Sequence, residues 1–302
     1  MRALAEVPAR RHIQSIIVVS HGEVLLERYF RDRRAEDLSN AHSVTKSVLA
    51  TVAGIAIGKG LLRLETTLSE VLGPQLFDRD PRKGSITVEH LLTMTSGLEP
   101  GSPYDIDEIA DRGESWVQGP LSAPLRADPG ASFAYNNGAA HVLGVLLAAA
   151  TATPLARLAE EELFRPLGIE EFRWPTDPDG NALGYGHLEL RPRDLARLGQ
   201  LYLDRGRVDD TQLLPRAFVD AATAATTDGG PPESVPYGYL WWITQDAGHP
   251  AFFAGGFGGQ YVTVIQDLKL VVVTTGDVDV FTETSRNLRR LVAEVVVPEL
   301  AR

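Results

Sequence analysis

The hydrophobic pattern opens on two β-rich runs, residues 14–20 (QSIIVVS) and 23–30 (EVLLERYF), separated by His21-Gly22. That dipeptide has the turn chemistry of a hairpin, so the chain is expected to open in a sheet. From 43 to 60 the apolar positions Val44, Val48, Leu49, Val52, Ile55 and Ala56 recur every three or four residues. The spacing predicts a buried helix starting near Ser43, with Ser39-Asn40 upstream as caps. Segment 64–190 is rich in Pro, Gly and Ala and carries helical candidates at 88–94, 138–150 and 155–164. A helix over 193–205 follows, then strand-like runs at 237–244, 260–266 and 270–275, and a last helical segment over 281–297. Strands near both ends with helices between predict an α/β (α+β) fold. Residues 1–66 and 190–302 would build the sheet lobe and 67–189 a mainly helical lobe, with the site in the cleft between them. There is no internal repeat and no low-complexity tract.

Composition narrows the function classes. Of 302 residues, 44% are hydrophobic and 23% charged, the profile of an ordinary globular protein. A net charge of -11 repels phosphate backbones and anionic lipid, so neither nucleic acid nor a membrane surface is an expected partner. With 0 cysteines, disulfides, thiol catalysis and cysteine metal sites are excluded. The 7 histidines are scattered and form no His-Glu-x-x-His pattern, so no metal and no cofactor are expected. Arginines, Glu6 and Pro8 interrupt the stretch where a secretory signal would be apolar, and no later run is long enough to span a bilayer. The expected location is cytoplasmic.

Candidate chemistry centres on Ser43-Val44-Thr45-Lys46. An i, i+3 spacing on a helix puts the hydroxyl and the amine on one face. A serine hydroxyl needs a neighbouring base, and a lysine serves when burial or another cation lowers its pKa, which an arginine does not do. The chain holds 4 lysines and 25 arginines, so a lysine here is less readily a generic surface charge. With 14 serines, about 0.2 such pairs arise by chance; Tyr135-Asn136-Asn137 adds a Tyr-x-Asn with about 0.13 chance matches, and the two together fall near 0.03. Tyr135 follows the turn Asp128-Pro129-Gly130 and precedes a helix, which places its phenol on a loop with a core aromatic as the bland alternative. There it would relay protons between Ser43 and a leaving group, while Asn137 would bind substrate or orient Lys46. The glycine cluster 254–259 lets backbone approach a ligand; beside Ser43, the amides of Ser43 and Phe257 would form an oxyanion hole, with Gly256 lining the substrate.

Ser-x-x-Lys, Tyr-x-Asn and a glycine-rich strand edge together resemble the penicillin-recognising serine hydrolases, above all class C beta-lactamases and their esterase relatives. HSVTKS, HLLTMTSGL, PRDLARLGQLYL, YGYLWW and GGFGGQ look like the branch holding beta-lactamase-fold esterases and nylon-oligomer hydrolases. The resemblance implies a two-lobe beta-lactamase-like fold with an antiparallel sheet flanked by helices. It also implies an acyl-enzyme on Ser43, with Lys46, Tyr135 and Asn137 at the matching positions and the amides of Ser43 and Phe257 as oxyanion donors. Where beta-lactamases and DD-peptidases carry Lys-Thr-Gly, this chain has Ala254-Gly255-Gly256. The substrate expected is therefore a small ester or unusual amide rather than a carboxylate-bearing antibiotic or peptide.

Other readings stay open at this point. An acyltransferase would use the same acyl-serine, and a catalytically silent binding module would use the same fold. His42 would be the base of a Ser/His mechanism, but adjacent helical residues point about 100° apart and there is no Gly-x-Ser-x-Gly elbow. The acidic stretch 99–114 is a candidate lid whose acids would favour amine-bearing substrates, with a solvated loop as the plainer reading. Trp241 and Trp242 lie on an expected strand, one facing the core and the other the pocket.

Overall fold

The computed structural model describes residues 12–280 and 288–300. Its eight-stranded sheet takes β1 (Ile13–Ser20) and β2 (Glu23–Tyr29) from the start of the chain. The remaining strands are β3 (Thr227–Gly230), β4 (Val235–Tyr237), β5 (Trp242–Asp246), β6 (His249–Gly256), β7 (Gln260–Ile265) and β8 (Leu270–Gly276). Every pairing is antiparallel and the order is β2-β1-β8-β7-β6-β5-β4-β3. The opening hairpin thus closes onto the last strand, with Ile17 opposite Val273 and a 2.6 Å bond between the buried hydroxyls of Ser15 and Thr275. β7 and β8 are buried on both faces, which is why they read as continuous apolar runs.

Among the described residues, the three longest helices are α1 (Thr45–Gly58), α2 (Asn137–Thr151) and α3 (Pro192–Leu203). α3 packs on β1, β7 and β8, and Gly199 permits the approach, because a Cβ there would lie 2.6 Å from Val271 and 2.9 Å from Val262. α1 is buried nearly all round and packs on α2. Short helices and turns fill the chain between them, two of them started by Thr67 and Thr87 capping boxes. No single helix among the described residues is long and apolar enough to cross a membrane.

Several expected elements differ in detail. The helix expected from Ser43 begins at Thr45; Ser43 itself lies on a 3₁₀ turn, His42–Val44. Ser39-Asn40 does not cap it but pairs as a short strand with Glu189–Leu190, and the Asn40 carboxamide oxygen accepts from the His42 amide at 2.8 Å. The strand expected over 237–244 is two, β4 and β5, split by a turn in which Leu240 has φ 57°. β6 is absent from the strand-like runs of the hydrophobic pattern, because Gly248 and Pro250 flank its start and mask its apolar centre, Ala251 to Ala254; its end, Ala254-Gly255-Gly256, is the glycine-rich strand edge that the resemblance implied. Of the final helix expected over 281–297, residues 281–287 lie outside the described residues, and Val292–Val296 and Val297–Leu300 are helical.

Candidate active site

The 3₁₀ turn carrying Ser43 is held from two sides. His42 takes a left-handed φ of 45°, costly for a non-glycine residue and held here by the surrounding packing. β6 packs on the turn at Gly256, where a Cβ would lie 2.6 Å from the Ala41 carbonyl oxygen and 3.2 Å from the His42 Cβ. Only glycine allows this strand edge to lie so close to the serine. The next residues, Phe257-Gly258-Gly259, turn the chain into β7. Gln260 pins that turn: its amide nitrogen donates to the carbonyls of Phe257 at 3.3 Å and Gly276 at 2.7 Å, and its oxygen accepts from the Gly276 amide at 3.1 Å.

On the inner side of the turn, α1 projects Lys46 so that its Nζ donates to Ser43 Oγ at 3.0 Å and to the Tyr185 carbonyl at 2.6 Å. The lysine is only 1% exposed. Burial disfavours its ammonium and brings the pKa from 10.5 down to about 7, against the opposing pull of Asp107. Tyr135 closes the other side: its phenol faces the Ser43 hydroxyl across the pocket, its ring lies 4.8 Å from Lys46 Nζ, and it stacks on Trp242 at 5.8 Å between centroids. Burial pushes the Tyr135 phenol well above its ordinary range, the nearby Ser43 hydroxyl opposing and the Glu233 carboxylate adding to the rise. The serine thus faces one amine that is neutral in part at pH 7 and one phenol that keeps its proton.

A pocket of about 230 Å³ opens in front of Ser43, walled by Tyr135, Glu233, Trp242, Phe257, Tyr261 and the glycines 255, 256, 258 and 259. Phe257 is 55% exposed at its rim. The residues singled out in the sequence therefore fall in one place: Ser43, Lys46 and Tyr135 brought together, with Gly256 and Phe257 beside them. Asn137 starts α2, and its buried Oδ1 has no hydrogen-bond partner among the described residues. The main-chain acceptor of the Lys46 ammonium is the Tyr185 carbonyl, and Asn137 Oδ1 accepts no bond from it. Asn136 is structural: it caps α2 through the Ala139 amide at 2.9 Å and donates to the Leu98 carbonyl at 3.2 Å.

His42 is packed between His187 and Phe257, at 5.7 and 6.0 Å between rings. Burial, with His187 and Lys46 nearby, lowers its pKa to about 4, so it is neutral at pH 7. Strand alternation does not separate the tryptophans, because Trp241 lies in the turn before β5. Both are buried, Trp241 against Tyr202 and Phe252, Trp242 on the pocket wall. Within the acidic stretch, the short helix Ile106–Asp111 brings Asp107 to 3.4 Å from the Tyr185 hydroxyl. Sequence reasoning missed Tyr185, Glu233 and Tyr261. A main-chain carbonyl acceptor has no residue signature, and the two pocket side chains are assembled from separate strands and turns.

This fold and site define a class. A beta-lactamase family model matches residues 2–296, and the chain belongs to the beta-lactamase family. It is 31% identical over 201 residues to Esterase EstB of Burkholderia gladioli, covering 58% of this chain and 51% of that protein. It is 26% identical over 291 residues to the D-alanyl-D-alanine-carboxypeptidase/endopeptidase AmpH of Escherichia coli (strain K12), covering 84% and 75%. To the 6-aminohexanoate-dimer hydrolase of Paenarthrobacter ureafaciens it is 25% identical over 258 residues, covering 76% and 64%. The chain thus spans 51% of the esterase's length and 64% of the dimer hydrolase's. Among solved structures, the octameric penicillin-binding protein homologue from Pyrococcus abyssi shares the fold, with a TM-score of 0.79 at 16% identity over 98% of this chain and 76% of that one.

Proposed function

We propose that the protein is a serine hydrolase that forms an acyl-enzyme on Ser43 and cleaves an ester or amide bond of a small molecule, without metal or cofactor. The observation that carries this reading is the contact between Ser43 Oγ and a fully buried Lys46 with a pKa of about 7. Neutral Lys46 accepts the Ser43 proton as Oγ attacks the carbonyl carbon. The oxyanion is received by the amides of Ser43 and Phe257. Tyr135, which keeps its proton at neutral pH, donates it to the departing alcohol or amine and is reprotonated by the Lys46 ammonium. Water then attacks the acyl carbon, its proton passing to the same amine, and Ser43 leaves with a proton restored. Asn137 and Gly256 are assigned to hold the substrate.

In this reading the site lies where the sheet lobe, 1–66 and 190–302, meets the helical lobe, 67–189. Having Ala254-Gly255-Gly256 where penicillin-binding relatives carry Lys-Thr-Gly favours substrates that present no carboxylate to that edge. The test is release of p-nitrophenol from short-chain esters by wild type and Ser43→Ala. Turnover lost in the variant supports the assignment, and turnover retained by the variant rejects it. Product analysis with an added alcohol or amine separates hydrolysis from acyl transfer.

A further inference from the structure

We infer that His141 and Asp177, buried behind the site, are positioning residues that hold the Tyr185 carbonyl against Lys46. The inference rests on the acyl-serine reading above. His141 is on α2 and Asp177 on the loop that leads to Tyr185; both side chains are completely buried. Their Nε2 and Oδ2 are 3.0 Å apart. The Gly184 amide donates to His141 Nδ1 at 3.4 Å, so the ring proton is on Nε2 and is donated to Asp177. Burial outweighs the opposing pull of Asp177 and keeps this histidine below its ordinary pKa, so the neutral ring is the favoured form at neutral pH.

Asp177 in turn organises its own loop. Its Oδ1 accepts from the amides of Asp179 at 2.9 Å and Asn181 at 2.8 Å, and its Oδ2 from the Asn181 side chain at 2.9 Å. One residue beyond the His141 bond is Tyr185, whose carbonyl takes Lys46 Nζ at 2.6 Å. The loop lies tight on α2, since a Cβ at Gly184 would come 2.7 Å from the Ala140 carbonyl oxygen and 3.3 Å from His141 Cα. The His141 ring meets the Tyr185 ring edge-on at 6.2 Å, and Trp116 lies against both, at 6.3 Å from His141 and 6.5 Å from Tyr185 between centroids. A neutral donor and acceptor pair on one helix therefore fixes the main-chain group that orients the lysine and helps keep it dry. The groups facing Lys46 are Ser43, Tyr135, the Tyr185 carbonyl and ring, Asp107 and, through charge, His42.

The experiment compares wild type with His141→Leu, His141→Gln and Gly184→Ala, reading kcat, KM and the pH profile of kcat/KM on a p-nitrophenyl ester. Glutamine offers a donor and an acceptor with the spacing of the neutral ring and is expected to retain most of the activity. Leucine is expected to lower kcat about 10- to 100-fold through misplacement of the lysine, with KM little changed. With Lys46 rehydrated, the acid limb of the profile moves up by about one pH unit. If the leucine variant does not fold, Gly184→Ala decides, because its Cβ pushes the same loop away from α2 and off the His141 ring while the histidine side chain is retained, and it should move the limb in the same direction. A leucine or alanine variant with lowered Tm but wild-type kcat and limb, or a glutamine variant as damaged as leucine, overturns the inference. Failure of the acyl-serine reading is separate: it shows as turnover surviving Ser43→Ala.

Discussion

Replacing Lys46 by Met should change catalysis and stability in opposite directions, and the sizes follow from the burial of one amine. The wild-type lysine has a pKa of about 7 in the folded chain against 10.5 in the open one. Between these values the unfolded chain holds a proton that the native one has released. Native stability therefore rises with pH across this window, and below pH 7 the cost of the buried ammonium is fully present. That cost is on the order of 5 kcal/mol. Methionine fills similar space without charge, so Lys46→Met should equal or exceed wild type in urea unfolding at pH 6. Wild type should then gain about 2–3 kcal/mol relative to the variant between pH 7 and pH 9. In activity the order reverses. Wild-type kcat/KM should rise through an apparent pKa of about 7, whereas Lys46→Met should lose that limb and about 10² to 10⁴ in rate. A wild-type profile flat from pH 6 to 8, or a stability difference that does not change with pH, would refute the reasoning.

Tyr135→Phe should keep the fold, because the stack on Trp242 remains, and lower kcat about 10²-fold or more; turnover unchanged within twofold would remove the proton relay. Gly256→Ala forces the strand edge off the Ala41 carbonyl, and about 1–3 kcal/mol of stability should be lost in urea unfolding together with most ester turnover. His42→Asn tolerates the left-handed φ and should leave the acid limb of the rate profile near pH 7; a limb that vanished would instead identify His42 as the base.

The parts of this molecule legible in the sequence are those that local pattern dictates. α1 could be read because its buried face is written in Val48, Leu49, Val52 and Ile55. The Ser43 to Lys46 spacing survived the change from α-helix to 3₁₀ turn because a step of three residues is a full turn in a 3₁₀ helix and nearly one in an α-helix, so both geometries leave the two side chains on one side. β7 and β8 were legible as apolar runs. Tertiary devices were not legible. The Leu240 turn that splits β4 from β5 rests on a positive φ at a residue type that rarely adopts one, so strand periodicity ran through it. The acceptor for Lys46 is a backbone carbonyl, and the His141 to Asp177 contact joins a helix to a loop 36 residues on. Asn137, expected to bind substrate or orient the lysine, leaves its Oδ1 without a partner, while the acceptor for Lys46 comes from the loop carrying Tyr185, which reaches α1 and α2 from outside the motif.

The central claim is that Ser43 carries the acyl group. Intact-protein mass spectrometry after mixing with a p-nitrophenyl ester, and separately with a fluorophosphonate, tests it directly. The account predicts one adduct of acyl or phosphonyl mass on wild type, mapped by peptide digestion to Ser43 and absent from Ser43→Ala. An adduct that persists in Ser43→Ala, or nitrophenol turnover by wild type that no longer requires Ser43, would contradict it.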